Sequence, residues 1–154
     1  MGQYYLICNL DKQQYLHPQH CGDGMKLTEF GCSGMGTLMA LTMLLASGNG
    51  RGGGDLGSNN EIVGSWAGDR IVIAGDYDDP GLYGIPGADN LYHVAAETWV
   101  DVSYQAMHAC CEDNGIREEL AEPATQGYFL QQAWPSILEP PPLALPRPAL
   151  VHRD

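Results

Sequence analysis

Hydrophobic and polar residues alternate along residues 3–9, and the pattern repeats in residues 13–16 after a polar turn at Asp11 and Lys12. A period of two is typical of a strand that turns one face to a core. The two runs are short and close together in the chain. They predict an N-terminal β-hairpin.

A different pattern occupies the middle of the chain. Residues 27–30 are predicted to be extended, and residues 35–47 are then apolar on every side. Ser33 can cap the start of a helix and Gly48 can end it. Because a helix that is apolar all round has no polar face for water, we predict a buried central helix over about residues 34–47.

The second half of the chain returns to strand-like patterns. Residues 62–66 and 70–74 flank a turn and predict a second hairpin, and residues 91–102 predict a further strand. Residues 103–111 predict a short helix that is capped by Ser103. The sequence therefore predicts an α+β fold in which an antiparallel sheet of hairpins packs on the central helix, with a C-terminal helix after the sheet.

The remaining segments have the composition of loops and of a tail. Residues 48–60 are rich in glycine, and residues 76–90 combine glycine with two prolines. Six of the ten prolines lie between residues 135 and 148. Since proline cannot donate a backbone hydrogen bond, we predict an extended, proline-rich tail over residues 135–154. The rest of the chain, residues 1–134, is predicted to form a single domain.

Charge excludes two classes of partner. The chain of 154 residues has 19 acidic residues against 7 lysines and arginines, a formal net charge of -12. Direct binding of nucleic acid or of an anionic membrane needs a basic face, so neither is predicted. The N-terminus does not have the pattern of a secretory signal, and five cysteines at irregular spacing do not form a disulfide framework, so we predict a cytoplasmic protein.

The charge is concentrated in one part of the chain. Residues 61–139 contain 14 acidic residues against Arg70 and Arg117, a net charge of -12. Such a field favours rapid capture of a basic protein partner, and aromatic side chains among the acids can anchor the contact. The first functional hypothesis is therefore a binding or inhibitory protein that uses this negatively charged face. Its predicted contact residues are Trp66, Asp69, Asp76, Tyr77, Asp78, Asp79 and Tyr83. An alternative role for the charge is solubility alone.

The second functional hypothesis is enzymatic and begins with Cys32, which precedes the predicted central helix. A thiol at a helix N-terminus has a lowered pKa and can serve as a nucleophile. The order of Cys32-Ser33-Gly34, a Gly68-Asp69 pair that opens a strand, and a later His93-Val94 pair resembles that of NlpC-type papain-fold cysteine peptidases and amidases. The resemblance implies that Cys32 attacks an amide carbonyl, His93 acts as base and Gln105 orients the imidazole. The competing interpretation of Cys32 is a small, buried core residue.

Two groups of potential metal ligands are also present. One consists of His17, His20 and Cys21, and the other of His108, Cys110 and Cys111. Neither group has the C-x-x-C spacing of a zinc site, and neighbouring helical cysteines point in different directions. The acidic residues from Asp76 to Asp79 begin like a calcium loop, but proline follows where a ligand is needed. We predict neither a resident metal nor a cofactor.

Overall fold

The fold is known from a computed structural model that describes residues 2–33, 36–47, 50–113 and 115–117. Sheet and helices together give the α+β class that the sequence predicts. The strands are β1 (Tyr5–Asn9), β2 (Gln14–Leu16), β3 (Ile71–Gly75) and β4 (Val100–Asp101). The helices are α1 (Leu27–Gly31), α2 (Thr37–Leu45), α3 (Leu91–Thr98) and α4 (Ser103–Glu112), with a 3₁₀ helix at Pro18–Cys21. The predicted tail, residues 135–154, lies outside the described residues.

Within these ranges the sheet has the strand order β3-β1-β2-β4. The predicted N-terminal hairpin of β1 and β2 is confirmed, with Ile7 opposite Leu16. On its other side β1 pairs antiparallel with β3, where Ile7 lies opposite Ile73. However, β4 pairs with β2 in parallel, so the sheet is mixed and the prediction of a purely antiparallel sheet is wrong. A parallel neighbour is reached by a long crossover, and α3 lies in the connection that leads to β4.

Strand β1 lies at the centre of three layers. Ile7 packs on one face of the sheet in a cluster with residues of α2 and α4, including Leu44 and Met107. Leu6 packs on the opposite face in a cluster with Ala95 of α3. Since both faces are covered, β1 is buried from its second residue to its last. None of the described helices combines the length and the apolar character needed to cross a bilayer.

The second predicted hairpin does not form, because residues 62–66 are a series of turns. Gly64 has a positive φ of 73° and donates its N–H to the carbonyl of Met43, while the N–H of Trp66 binds the carbonyl of Leu44. The segment thus binds the last carbonyls of α2, which have no partner within the helix. A Cβ at Gly64 would lie 2.6 Å from the carbonyl oxygen of Ala46. Residues 70–74 do form a strand, but it pairs with β1.

Two further predictions of extended structure are wrong. Residues 27–30 belong to helix α1, and residues 91–102 form helix α3 followed by the two-residue strand β4. Asn90 caps α3 by accepting a hydrogen bond from the N–H of His93 at 3.1 Å. Leu91 and Ala95 then face the core with a spacing of four, which is a helical period that the strand prediction overlooked.

Helix α2 is shorter and more exposed than predicted. It starts at Thr37, whose N–H is bound by the carboxylate of Asp23 at 2.7 Å, rather than at a cap from Ser33. One face is buried, but Leu38 is 48% exposed and Leu45 is 37% exposed. An all-apolar helix therefore lies partly at the surface here, because β1 rather than α2 is at the centre of the fold. The C-terminal helix is confirmed as α4.

Candidate functional site

The residues of the papain-like hypothesis lie on three different elements. Cys32 is exposed and is the C-cap of α1, so the interpretation of this thiol as a core residue is wrong. Its predicted place at the N-terminus of the central helix is also wrong, because α2 starts at Thr37. His93 is exposed on α3 rather than on a strand, and its ring makes an edge contact with the ring of Tyr92. Gln105 lies on α4 with both amide atoms buried and unpaired. Within the described residues no hydrogen bond joins these three side chains.

The other four cysteines are core residues. Cys8, Cys21, Cys110 and Cys111 are all buried, and all are free thiols. Burial raises the pKa of Cys8 to about 12 and that of Cys111 to about 11. The pKa of Cys21 and that of Cys110 are also raised, again chiefly by burial. These thiols are protonated at neutral pH, which makes them poor nucleophiles.

The second group of potential metal ligands does not converge. His108 pairs with Glu112 one turn later on α4, while Cys110 Sγ lies 3.7 Å from Met43 Sδ. Cys111 packs in the cluster around Ile7. In the part of the chain that the structure describes, no group of three or more histidine, cysteine, aspartate or glutamate side chains is arranged to hold a metal ion.

The first group of ligands contributes to a stack of three rings. His17 and His20 lie on successive turns around the 3₁₀ helix, with ring centroids 4.0 Å apart and planes inclined by 18°. Tyr104 of α4 stacks on His20 at 4.8 Å. A metal ion binds in the plane of an imidazole ring, so two nearly parallel rings cannot share one ion without turning.

Asp101 fixes the orientation of His20. Its Oδ2 lies 2.5 Å from Nδ1 of His20, and its Oδ1 accepts the N–H of Ser103 at 2.8 Å. Burial alone would raise the pKa of Asp101, but the hydrogen bonds from His20 and Ser103 outweigh this effect and the pKa lies below its usual value. Because the carboxylate only accepts, Nδ1 of His20 is the donor in this hydrogen bond.

Sequence reasoning found only part of this stack. The spacing of His17 and His20 was the visible signal, but Asp101 and Tyr104 follow more than eighty residues later. Asp101 had been placed within a long predicted strand, and its contact depends on how β4 pairs with β2. The predicted helix is confirmed as α4, but its N-cap is Val102 rather than Ser103, whose hydroxyl instead accepts the N–H of His17 at 2.7 Å.

A second candidate site is the loop between β3 and α3, residues 76–90. The side-chain amide of Asn90 donates to the carbonyl of Asp76 at 2.9 Å and to that of Asp78 at 3.0 Å. These bonds hold the end of the loop against its beginning, as in compact Ω-loops. The loop contains four aspartates and no basic residue. Closure by Asn90 therefore concentrates negative charge at one end of the sheet.

Only some of the acidic residues in this half of the chain are available to a partner. Asp69 binds Asn9 and Lys12, and Asp78 accepts from the N–H of Gly75 at 2.8 Å. The buried side chain of Asp113 accepts the N–H groups of Gly57 and Ser58, among others. Carboxylates of this kind stabilise turns, so much of the charge serves the fold itself.

The exposed residues of the loop form a mixed acidic and apolar surface. Asp79 and Asp89 are exposed, Tyr77 is 66% exposed and Leu82 is 59% exposed. Tyr4, which precedes β1, and Ile73 of β3 are also exposed, at 46% and 43%. We name the four loop residues Asp79, Asp89, Tyr77 and Leu82 the acidic loop face. Of the predicted contact residues, Trp66 is fully buried and lies in the core, and Tyr83 is half-buried.

Comparison with protein-family models, with curated proteins and with solved structures finds no match to this chain. The resemblance to papain-fold peptidases therefore stays a prediction from short motifs.

The ring stack predicts a loss of stability in mild acid. Burial lowers the pKa of His17 below its ordinary 6.5, the nearby His20 lowers it further, and Asp101 acts in the opposite direction. The imidazole of His17 thus binds a proton more tightly in the unfolded chain than in the folded one. The stabilising effect of neutral His17 is complete above pH 6.5 and is lost as the pH falls through the lower folded pKa.

Urea unfolding between pH 7 and pH 5 measures this effect. We expect His17→Phe, which keeps a stacked ring but does not titrate, to flatten the fall in the free energy of unfolding. The difference is a fraction of the ~1.4 kcal/mol per pH unit that one full proton gives, because the ring is partly screened by solvent. His93→Phe changes an exposed histidine and is the control. Identical pH slopes for wild type and His17→Phe would refute the assignment.

The closure of the loop is tested by Asn90→Asp. Aspartate is an equally good helix cap, so the hydrogen bond from His93 is kept, but both donated bonds to the loop carbonyls are lost. We expect a loss of about 1–3 kcal/mol in the free energy of unfolding, measured in urea. Asn59→Asp makes the same chemical change at an exposed position and should alter stability by less than about 0.5 kcal/mol. Equal stability of Asn90→Asp and wild type would show that the loop is not held in this way.

Proposed function

We propose that this protein binds a basic protein partner through the acidic loop face. The observation that carries the proposal is the closure of the loop by Asn90. It fixes the exposed carboxylates of Asp79 and Asp89 on the same short loop as the exposed side chains of Tyr77 and Leu82. An apolar and aromatic centre with charged neighbours is the common composition of a protein interface.

The distribution of charge supports a basic partner. Asp79 and Asp89 have no ion-pair partner among the described residues, and the basic side chains at the opposite end of β1 and β3, Lys12 and Arg70, are paired with Asp69 and Asp11. The face therefore presents uncompensated negative charge. Complementary charge accelerates association and selects among partners more than it adds affinity.

An inhibitory role is the form of this function that the charge favours. A protein that covers a basic surface with carboxylates neutralises whatever that surface does for the partner. We place this activity in the cytoplasm, supported by five free cysteines, four of them in the core. Salt should weaken the complex. At physiological ionic strength, interactions between exposed charges more than about 8–10 Å apart are largely screened.

Two matched double variants test the proposal. Asp79→Asn with Asp89→Asn removes two charges from the acidic loop face, and Asp55→Asn with Glu61→Gln removes two exposed charges elsewhere. Partners are retained from cell extract on each immobilised variant, identified, and measured by titration as purified proteins at low and high salt. We expect a basic partner whose affinity falls roughly tenfold with the first variant and is nearly unchanged with the second.

The contradicting result is equally clear. If both double variants bind the same proteins with the same affinity and the same dependence on salt, charge acts without regard to position and the acidic loop face is not the binding site. Wild-type retention alone does not support the proposal, because an acidic protein attracts many basic proteins.

A papain-like hydrolase is the second candidate, and the exposure of Cys32 favours it. Because the other four cysteines are buried, preferential labelling of Cys32 reports only accessibility. The deciding comparison is the rate of alkylation of Cys32 by iodoacetamide in wild type and in His93→Ala. A base that activates the thiol predicts a rate at least about tenfold lower in the variant. Equal rates would end the hypothesis.

A further inference from the structure

Strand β3 forms an edge of the sheet, and its outer backbone groups are only partly covered. In its antiparallel ladder with β1, Ile7 lies opposite Ile73 and Tyr5 opposite Gly75. Alternate residues of such a strand direct both backbone groups away from the neighbour. The carbonyl of Ile73 and the N–H of Gly75 point away from β1, because both form hydrogen bonds with side chains of the following loop.

Two side chains cover the end of this edge that adjoins the loop. The hydroxyl of Tyr83 donates to the carbonyl of Ile73 at 3.1 Å, and the carboxylate of Asp78 accepts from the N–H of Gly75. The same hydroxyl lies 3.4 Å from the carboxylate of Asp78. A hydroxyl has one proton to donate, so Tyr83 can transfer its bond to Asp78 and release the strand.

The remaining outward N–H groups of this edge form no hydrogen bond with the described residues. By the same alternation, the N–H groups of Ile71 and Ile73 face outward, and the side chain of Ile73 is 43% exposed. The opposite edge of the sheet, β4, has two residues and both are buried. Within the described sheet, β3 is therefore the strand to which another strand can be added.

We propose that the partner adds an extended, basic strand to the outer edge of β3, with a lysine or arginine against Asp79 and Asp89. This inference depends on the proposed function for the sign of the partner's charge. The two ends of β3 differ in charge, since Arg70 at its start is paired with Asp11 and the loop at its other end is acidic. Backbone pairing supplies affinity, and the charge at one end sets the direction of the added strand.

The test uses a synthetic peptide of alternating lysine and valine, six residues long, with a second version N-methylated at every residue. The two peptides have the same charge, but the methylated one has no N–H to donate along either edge. We expect the unmethylated peptide to bind at least tenfold more tightly. It should also slow amide hydrogen exchange at Ile71 and Ile73, as measured by NMR.

A tyrosine variant distinguishes strand addition from a purely electrostatic contact, because only strand addition predicts a change in affinity. Tyr83→Phe removes the hydroxyl that occupies the carbonyl of Ile73, so the peptide should bind roughly two- to tenfold more tightly to this variant. Tyr92→Phe removes the hydroxyl of another half-buried tyrosine and should leave the affinity unchanged.

Each outcome decides the question. No binding, equal binding of both peptides, or unchanged exchange at Ile71 and Ile73 would overturn strand addition. Slow exchange that depends on protein concentration without peptide would show instead that two copies pair through β3. Neither result bears on the proposed function, because the double variants test it separately and that comparison depends only on Asp79 and Asp89.

Discussion

The constraint on which the fold depends is the position of β1 between two strands and two layers of helices. Leu6 and Ile7 are buried on opposite faces, and the strand is paired along both sides. A strand enclosed in this way contributes little to the surface, because only its first residue, Tyr5, is partly exposed. The unpaired backbone groups of the sheet therefore lie along the outer edge of β3. Side chains of the segment that follows β3 have to bind these groups or leave them exposed.

The loop at residues 76–90 meets this requirement with polar side chains. Asn90 joins the two ends of the loop and caps α3, while Asp78 and Tyr83 bind the outer groups of β3. The aspartates of the loop are thus partly structural, and the net charge of the second half of the chain overstates what a partner meets. What is left at the surface is small, but it is fixed in position, and a preformed surface loses less entropy on binding.

The sequence predicted those elements whose pattern follows from local contacts. The N-terminal hairpin was predicted from alternation and strand β3 from three consecutive apolar residues, Ile71 to Ile73. Helix α4 was predicted with a cap at Ser103, although Val102 is its N-cap. Residues 62–66 were misassigned because apolar residues there bind the end of α2, which is a tertiary effect. The strand predicted over residues 91–102 failed for another reason, since Asn90 and the spacing of Leu91 and Ala95 indicate a helix.

The functional residues divide in the same way. The concentration of charge was visible in the chain, but which carboxylates serve turns depends on the packing of Asp69, Asp101 and Asp113. The stack of His17, His20 and Tyr104 required the parallel pairing of β4, which no local pattern indicates. Asn90 resembled an ordinary loop residue in the sequence, and only its three hydrogen bonds reveal what it holds together.

Nuclear magnetic relaxation of the backbone amides tests most directly whether the acidic loop face is preformed. If Asn90 closes the loop, the order parameters of residues 79–89 should approach the value of about 0.85 found in rigid structure. The side-chain amide protons of Asn90 should also exchange slowly with water, because both bonds they make are within the protein. Order parameters below about 0.6 across the loop, with rapid exchange at Asn90, would contradict the account.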